Sequence, residues 1–182
     1  MLEYIIAFIS GALVKTVDWL DDTKKSKSPV KYLLGALYGL LIGYLIGRAS
    51  FSLIFLAALA AQVFARKVDT TAHKLGFLVA AVSLLYFSFP TIDAGLFILF
   101  LALAFLDEMD YIGKLRWVAE YRPFLKIGAL LPAIFGVWDY FFGIIVFDIG
   151  YELVATLTRS REKEVETKAA PPQRVRRRGK GT

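Results

Sequence analysis

The chain has 182 residues, 57% of them hydrophobic, with a formal net charge of +6 and no cysteine. Its apolar residues fall in blocks of about 15–19, whereas a soluble domain keeps them in shorter periodic stretches and a bilayer crossing takes roughly 20. This pattern argues against an ordinary soluble domain and predicts an all-α integral membrane protein. The missing cysteine excludes disulfides and thiolate metal sites.

The first five apolar blocks are each predicted to form one membrane helix. They cover Glu3–Leu20, Val30–Gly47, Ala49–Ala65, Leu75–Phe89 and Ala94–Leu106. The first block has no basic segment before it and no small-residue cleavage site, so we expect a retained helix and no signal peptide. The stretch Tyr111–Arg122 mixes basic and aromatic residues, which is typical of a helix at the level of the lipid headgroups.

The apolar region Phe124–Leu157 is too long for one ordinary crossing. It predicts either two short crossings that turn near Trp138, Asp139 and Tyr140, or one long helix that leaves the bilayer. The first, third and fifth loops, counted with the helix ends around them, carry five, three and four Lys or Arg. The second and fourth loops carry one and none, and nine follow from Arg159 onward. Because basic residues favour the cytoplasmic side, this alternation favours seven crossings with the N-terminus outside and the C-terminus inside. Six crossings would place the basic tail outside.

We therefore expect two parts, a transmembrane helix bundle over residues 1–158 and a basic cytoplasmic tail over residues 159–182. The bundle, of seven or six short helices, predicts a multi-pass protein of the cell membrane. The tail contains Pro171, Pro172 and several arginines and cannot bury a core, so it is predicted to be disordered and to anchor the topology. Asparagine is absent along with cysteine, and this depletion is typical of a thermophilic source.

The second block carries four glycines at a strict spacing of four residues. They are Gly35, Gly39, Gly43 and Gly47. Residues at this spacing share one helix face, and glycines there let the backbone of another helix approach closely. The pattern therefore predicts a glycine zipper that packs the second helix against a neighbour.

Acidic side chains gather at the ends of the helices that are predicted to run from outside to inside. Because these are C-terminal helix ends, where the helix dipole disfavours negative charge, local helix chemistry does not account for the acids. Mg²⁺ takes oxygen ligands and usually combines one or two carboxylates with substrate phosphates. The expected Mg²⁺ ligands are Asp18, Asp21, Asp22, Asp107 and Asp110.

Three basic side chains near these acids are candidate catalytic residues. Lys24 and Lys25 could orient a phosphate beside the metal. His73, the single histidine, follows Asp69 by four residues and is a candidate proton shuttle or ligand, although a solvated surface histidine is the simpler interpretation.

The segment Trp19–Lys25, of sequence WLDDTKK, is followed by Lys31 and by Leu33–Gly35. Together they resemble the aspartate-pair and lysine motif of the polyprenyl-phosphate phosphoglycosyltransferases. The resemblance implies a Mg²⁺-dependent reaction of a membrane-bound lipid phosphate with a nucleotide sugar. It covers a short stretch of the chain, and the family's later asparagine-containing motifs are missing because the chain has no asparagine.

Three functional hypotheses follow. The first is a Mg²⁺-dependent enzyme acting on lipid-linked phosphate or nucleotide-lipid substrates at the cytoplasmic face. The second is a small transporter or channel that uses Asp18, Asp148 and Glu152 as ion or proton sites, and the third is a non-catalytic membrane scaffold whose acids are only ion-paired. The expected partners are membrane lipids, a lipid-phosphate substrate and a second copy of the chain, with no nucleic acid.

Overall fold

The computed structural model describes residues 1–23, 28–87, 89–109, 111–113 and 116–169, and this part of the chain is all α-helical. It contains seven longer helices and one short helix, α6. The helices are α1 (Leu2–Asp22), α2 (Val30–Ile46), α3 (Ser52–Phe64), α4 (Thr71–Phe87), α5 (Ala94–Asp107), α6 (Arg116–Tyr121), α7 (Pro123–Ile134) and α8 (Asp139–Ala169). The predicted all-α class is confirmed.

Helix ends follow local sequence signals. Asp93 caps α5, because its carboxylate accepts a hydrogen bond from the Leu96 N–H at 2.9 Å. Pro123 begins α7, where its missing N–H costs no helical hydrogen bond. Gly136 has φ +89° and ends α7 in the left-handed conformation that glycine tolerates best. The region Phe124–Leu157 is therefore divided between two helices, with a break at residues 135–138, and is not one continuous helix.

The last helix is longer than expected. It continues through Arg159 to Ala169, so residues 159–169, which were predicted to begin a disordered tail, are helical. Arg, Glu, Lys and Ala favour helix, and this segment has no glycine or proline before Pro171, so it continues the preceding helix. Residues 170–182 lie outside the described residues.

The glycine face of α2 packs directly on α4. A Cβ atom at Gly35 would lie 2.7 Å from the carbonyl oxygen of Ala72, and one at Gly47 would lie 2.8 Å from the Cβ of Phe87. Gly39 meets Gly76 in the same way, midway along the contact. The numbers rise together along both helices, so α2 and α4 run parallel with their backbones in close contact.

A second pair of glycines joins α1 to α8. Gly11 faces the backbone of α8 at Phe147, and Gly150 faces the backbone of α1 at Phe8, with no room for a side chain at either position. At the start of both helices the Tyr4 hydroxyl donates to the Asp139 carboxylate at 2.5 Å. These contacts make α1 and α8 a second closely packed parallel pair.

One helix of the described chain is both long and apolar enough to span a membrane, over Asp139–Arg161 with a mean hydropathy of 1.6. The apolar helices α2 to α5 and α7 have 12 to 17 residues. At 1.5 Å per residue they are about 18–26 Å long, shorter than the roughly 30 Å of hydrocarbon in a bilayer. Large apolar side chains nevertheless remain on their outer faces, including Leu33, Leu85 and Ile134 at 70%, 87% and 76% exposure.

Candidate functional site

A cavity of about 390 Å³ lies where α1 and α5 end and α4 and α7 begin. Its polar wall consists of Asp18, Asp21, Asp22, Tyr38, Gln62, Lys67, Asp69, Thr70, His73, Asp107, Glu108, Arg122, Asp148 and Tyr151. Its apolar wall includes Val14, Ile42, Phe55, Leu59, Phe77, Ile144 and Phe147. The cavity is thus amphipathic, and acids outnumber basic side chains on its surface.

The structure brings most of the predicted site residues to this cavity. Asp18, Asp21, Asp22, Asp107 and His73 all line it. They come from α1, α5 and α4, elements that are far apart in the sequence. The predicted metal ligand Asp110 and the predicted phosphate-orienting residues Lys24 and Lys25 lie outside the described residues.

A hydrogen-bonded chain of four side chains crosses one wall of the cavity. His73 Nε2 lies 2.8 Å from Asp18 Oδ1, and His73 Nδ1 lies 2.8 Å from the Tyr38 hydroxyl. The other oxygen of Asp18 accepts a hydrogen bond from the Tyr151 hydroxyl at 3.0 Å. His73 is therefore held between a carboxylate and a phenol, an arrangement that fixes its ring and suits proton transfer.

Asp21 is a nearly buried acid with one paired oxygen. Its side chain is 10% exposed, and Oδ1 accepts a hydrogen bond from the Lys31 ammonium at 2.5 Å. Burial alone would raise the pKa of the Asp21 carboxyl, but the interactions with Lys31, Thr70 and His73 together outweigh it and hold the pKa below the ordinary value. The buried Oδ2 has no hydrogen-bond partner among the described residues. Asp21 is therefore mainly the ion-pair partner of Lys31 within the cavity wall.

Asp107 caps the N-terminus of α7. Its oxygens accept hydrogen bonds from the backbone N–H groups of Phe124 at 3.0 Å and Leu125 at 2.7 Å, in the first turn of α7. Burial raises the pKa of this carboxyl, although the two N–H groups oppose the shift. With 3% of the residue exposed and both oxygens engaged, Asp107 acts here as a helix cap.

Two further ion pairs bring α5, α7 and α8 together at the cavity. The Arg122 guanidinium lies 3.5 Å from Glu108, and the Lys126 ammonium lies 2.5 Å from Asp148. Asp148, which the sequence marked as a transport candidate, lines the cavity, whereas Glu152, one turn further along α8, is not among the lining residues.

No three or more His, Asp or Glu side chains within the described ranges form a group that could hold a metal ion by themselves. Asp18, Asp21 and Asp107 have protein partners, as described above. Asp22 and Asp69 are exposed at the cavity, and no described residue lies within ion-pairing distance of either. Any cation here would therefore need a bound small molecule or water to complete its coordination shell.

Sequence reasoning missed Tyr38, Tyr151 and Arg122. Tyr38 lies within the glycine-rich stretch of α2, where the surrounding glycines predicted helix packing and no functional role. Tyr151 and Arg122 lie at the cavity because helices that are distant in the sequence pack together, and residue spacing does not predict that packing. The one local signal was the Arg122–Pro123 step, which marks a helix start without indicating where the guanidinium points.

Comparison of the chain with family models, with curated proteins and with solved structures finds no match.

Proposed function

We propose that this chain is a polytopic membrane protein whose helices α1 to α5, α7 and α8 all enter the bilayer, with the cavity at its cytoplasmic side. The distribution of polarity supports this proposal. Apolar side chains such as Leu85 and Ile134 are exposed on the outside, while Asp107 and Lys31 are 3% and 8% exposed. Soluble proteins bury charge this way only rarely, whereas a lipid solvent favours it. Helices shorter than the bilayer can be accommodated by local thinning.

We further propose that the cavity binds a ligand with a phosphate head and an apolar chain, together with Mg²⁺, as an enzyme of lipid-linked phosphate metabolism would. The observation that carries this proposal is the division of the cavity wall. Charged side chains from four helices form one part, and Phe55, Phe77 and Phe147 belong to the other. A head and tail of opposite polarity match such a wall better than a fully polar solute does.

Mg²⁺ commonly uses one or two protein carboxylates and completes its shell with phosphate oxygens and water. Asp22 and Asp69, which are exposed at the cavity, are the groups that could hold it here. The metal would offset the repulsion between the acidic wall and the phosphate. His73, fixed by Asp18 and Tyr38, would accept or donate a proton at the head of the ligand.

The first test is a titration of the purified full chain in nanodiscs with dihexanoyl phosphatidate, with and without Mg²⁺. Saturable binding that requires Mg²⁺ is expected. The double variant Asp22→Asn/Asp69→Asn should lose at least about tenfold in affinity, or ~1.4 kcal/mol, because it removes the charges that hold the metal. The matched control is Asp139→Asn, an acid paired with Tyr4 at the start of α8, which should bind like the wild type.

A second function, proton-coupled transport, is favoured by the chain Tyr38–His73–Asp18–Tyr151, because linked donors and acceptors can carry a proton through a bundle. The same titration separates the two functions. Binding that needs no Mg²⁺ and releases a proton to the buffer would favour transport and would contradict the Mg²⁺-dependent proposal.

A further inference from the structure

Arg122 occupies an unusual position at the junction of α6 and α7. Its backbone has φ +47° and ψ +59°, in the left-handed region that residues with a Cβ avoid. It also precedes Pro123, which restricts its conformation further. The position is held from both sides, because the Arg122 N–H donates to the Val118 carbonyl at 2.9 Å and Asp107 caps the turn that follows. Backbone strain maintained in this way is often found at binding sites.

The guanidinium reaches the cavity from this junction. Its side chain is 30% exposed and lines the cavity, and its Cζ lies 5.4 Å from the centre of the Tyr151 ring, within range of a cation–π contact. One nitrogen, Nη2, lies 3.5 Å from Glu108, a long ion pair. A guanidinium has five N–H donors in a planar fork. Among the described residues, Glu108 is the one acid in ion-pairing distance of this fork.

Charge complementarity indicates what those donors would bind. The cavity wall has seven Asp or Glu side chains, with Lys67, His73 and Arg122 as the basic ones. An anion could enter such a wall only where a fixed positive charge offsets the acids. Arginine stays charged at any working pH, and its fork matches two oxygens of a phosphate at once.

We propose that Arg122 is the phosphate-binding residue of this cavity, with its fork donating to the phosphate group of the ligand. This inference rests on the proposed function and adds to it the residue that recognises the head group. The phosphate belongs either to a lipid head or to a free anion. Both have the same oxygens, so both require Arg122, and only the lipid also gains from the apolar wall.

The test compares inorganic phosphate with dihexanoyl phosphatidate, each titrated calorimetrically with Mg²⁺ into the full chain in nanodiscs. Arg122→Gln should weaken binding of whichever ligand the wild type takes by about 10- to 100-fold, the range for losing a hydrogen bond to a charged group. Arg122→Lys should recover part of the loss, because it restores the charge without the fork. A wild type that binds only the phosphatidate identifies a lipid head, and one that binds both identifies a site open to free phosphate.

A control variant keeps the test independent of folding. Arg48→Gln removes an arginine that donates to the Tyr44 hydroxyl at the far end of α2, and it should bind like the wild type. Glu108→Gln, by contrast, removes the acid paired with Arg122 in the cavity wall and should tighten binding, because the guanidinium no longer has a competing carboxylate. If Arg122→Gln binds as tightly as the wild type, Arg122 is only a structural ion-pair partner and the inference is wrong. If the wild type binds neither ligand, the proposed function itself fails.

Discussion

Asp107 is the last residue of α5, and its carboxylate accepts hydrogen bonds from the first two N–H groups of α7. A single carboxylate therefore joins two helices that are separated by a connecting segment. The first N–H groups of a helix have no partner within that helix. In an apolar setting each unpaired N–H is costly, and the Asp107 oxygens remove that cost at both positions. This acid therefore has a structural explanation that does not involve a metal.

Replacing Asp107 with alanine should destabilise the bundle. Loss of the cap leaves two buried N–H groups unpaired, and we expect a decrease of about 1–3 kcal/mol in the free energy of unfolding at neutral pH. The measurement is chemical unfolding of the purified protein in mixed micelles, followed by circular dichroism. Asp22→Ala, an exposed acid one turn beyond Asp18, is the control and should change stability by less than about 0.5 kcal/mol.

The difference in stability between the wild type and Asp107→Ala should also depend on pH. Because burial raises the Asp107 pKa above 3.8, the folded protein binds this proton more tightly than the unfolded chain does. The contribution of Asp107 to stability is therefore greatest below the unfolded pKa and falls as pH rises from about 3.8 to the folded value. The difference between wild type and Asp107→Ala should shrink over that window and level off above it. A difference that grows with pH would instead show that the two N–H groups outweigh burial and lower the Asp107 pKa.

At the scale of helices, the α2–α4 contact depends on the absence of side chains. A methyl group at Gly39 would collide with the carbonyl oxygen of Gly76, a backbone atom that cannot move aside independently. Gly39→Ala should therefore cost about 1–3 kcal/mol, even though alanine favours a helix over glycine by about 1 kcal/mol. Thermal unfolding in detergent measures the effect.

Gly95→Ala is the matched control for this substitution. Gly95 lies in the first turn of α5, and a Cβ there would meet only the Asp93 carboxylate at 3.4 Å, an ordinary contact. This variant should be as stable as the wild type or slightly more stable. If both substitutions had the same effect, the α2–α4 packing would not be as close as described.

The elements could be predicted from sequence much better than their arrangement. The apolar blocks matched α2 to α5 to within a few residues, because hydrophobicity and turn residues are local signals. The glycine face of α2 was also readable, since four-residue spacing defines a face by itself. Its partner was not readable, and neither was the α1–α8 pair, because Gly11 and Gly150 show no pattern until both helices are in place. Arg122 entered the site through that same unpredicted packing.

The arrangement of the whole molecule makes a prediction about orientation. The chain has no cysteine, so a single introduced cysteine can be labelled without a background. In intact cells a membrane-impermeant maleimide should label Thr91→Cys, between α4 and α5, and Val137→Cys, between α7 and α8. Ile112→Cys, 91% exposed before α6, should react only after permeabilisation. With six crossings, Val137 would lie within the bilayer and Val137→Cys would not be labelled, whereas the other two sites would react as before. A protein that is washed from membranes by alkaline carbonate would not be integral at all.

The pairing of α1 with α8 has a consequence for biogenesis. As the chain is synthesised, α1 and the six helices that follow it are made before α8, so the face of α1 around Gly11 has no native cover until α8 arrives. Contacts between such distant segments form late and slowly. The hydrogen bond between Asp18 and Tyr151 belongs to this late contact, so a partly synthesised chain has only an incomplete wall around its acids. The cavity is therefore complete only after the last helix of the chain has docked.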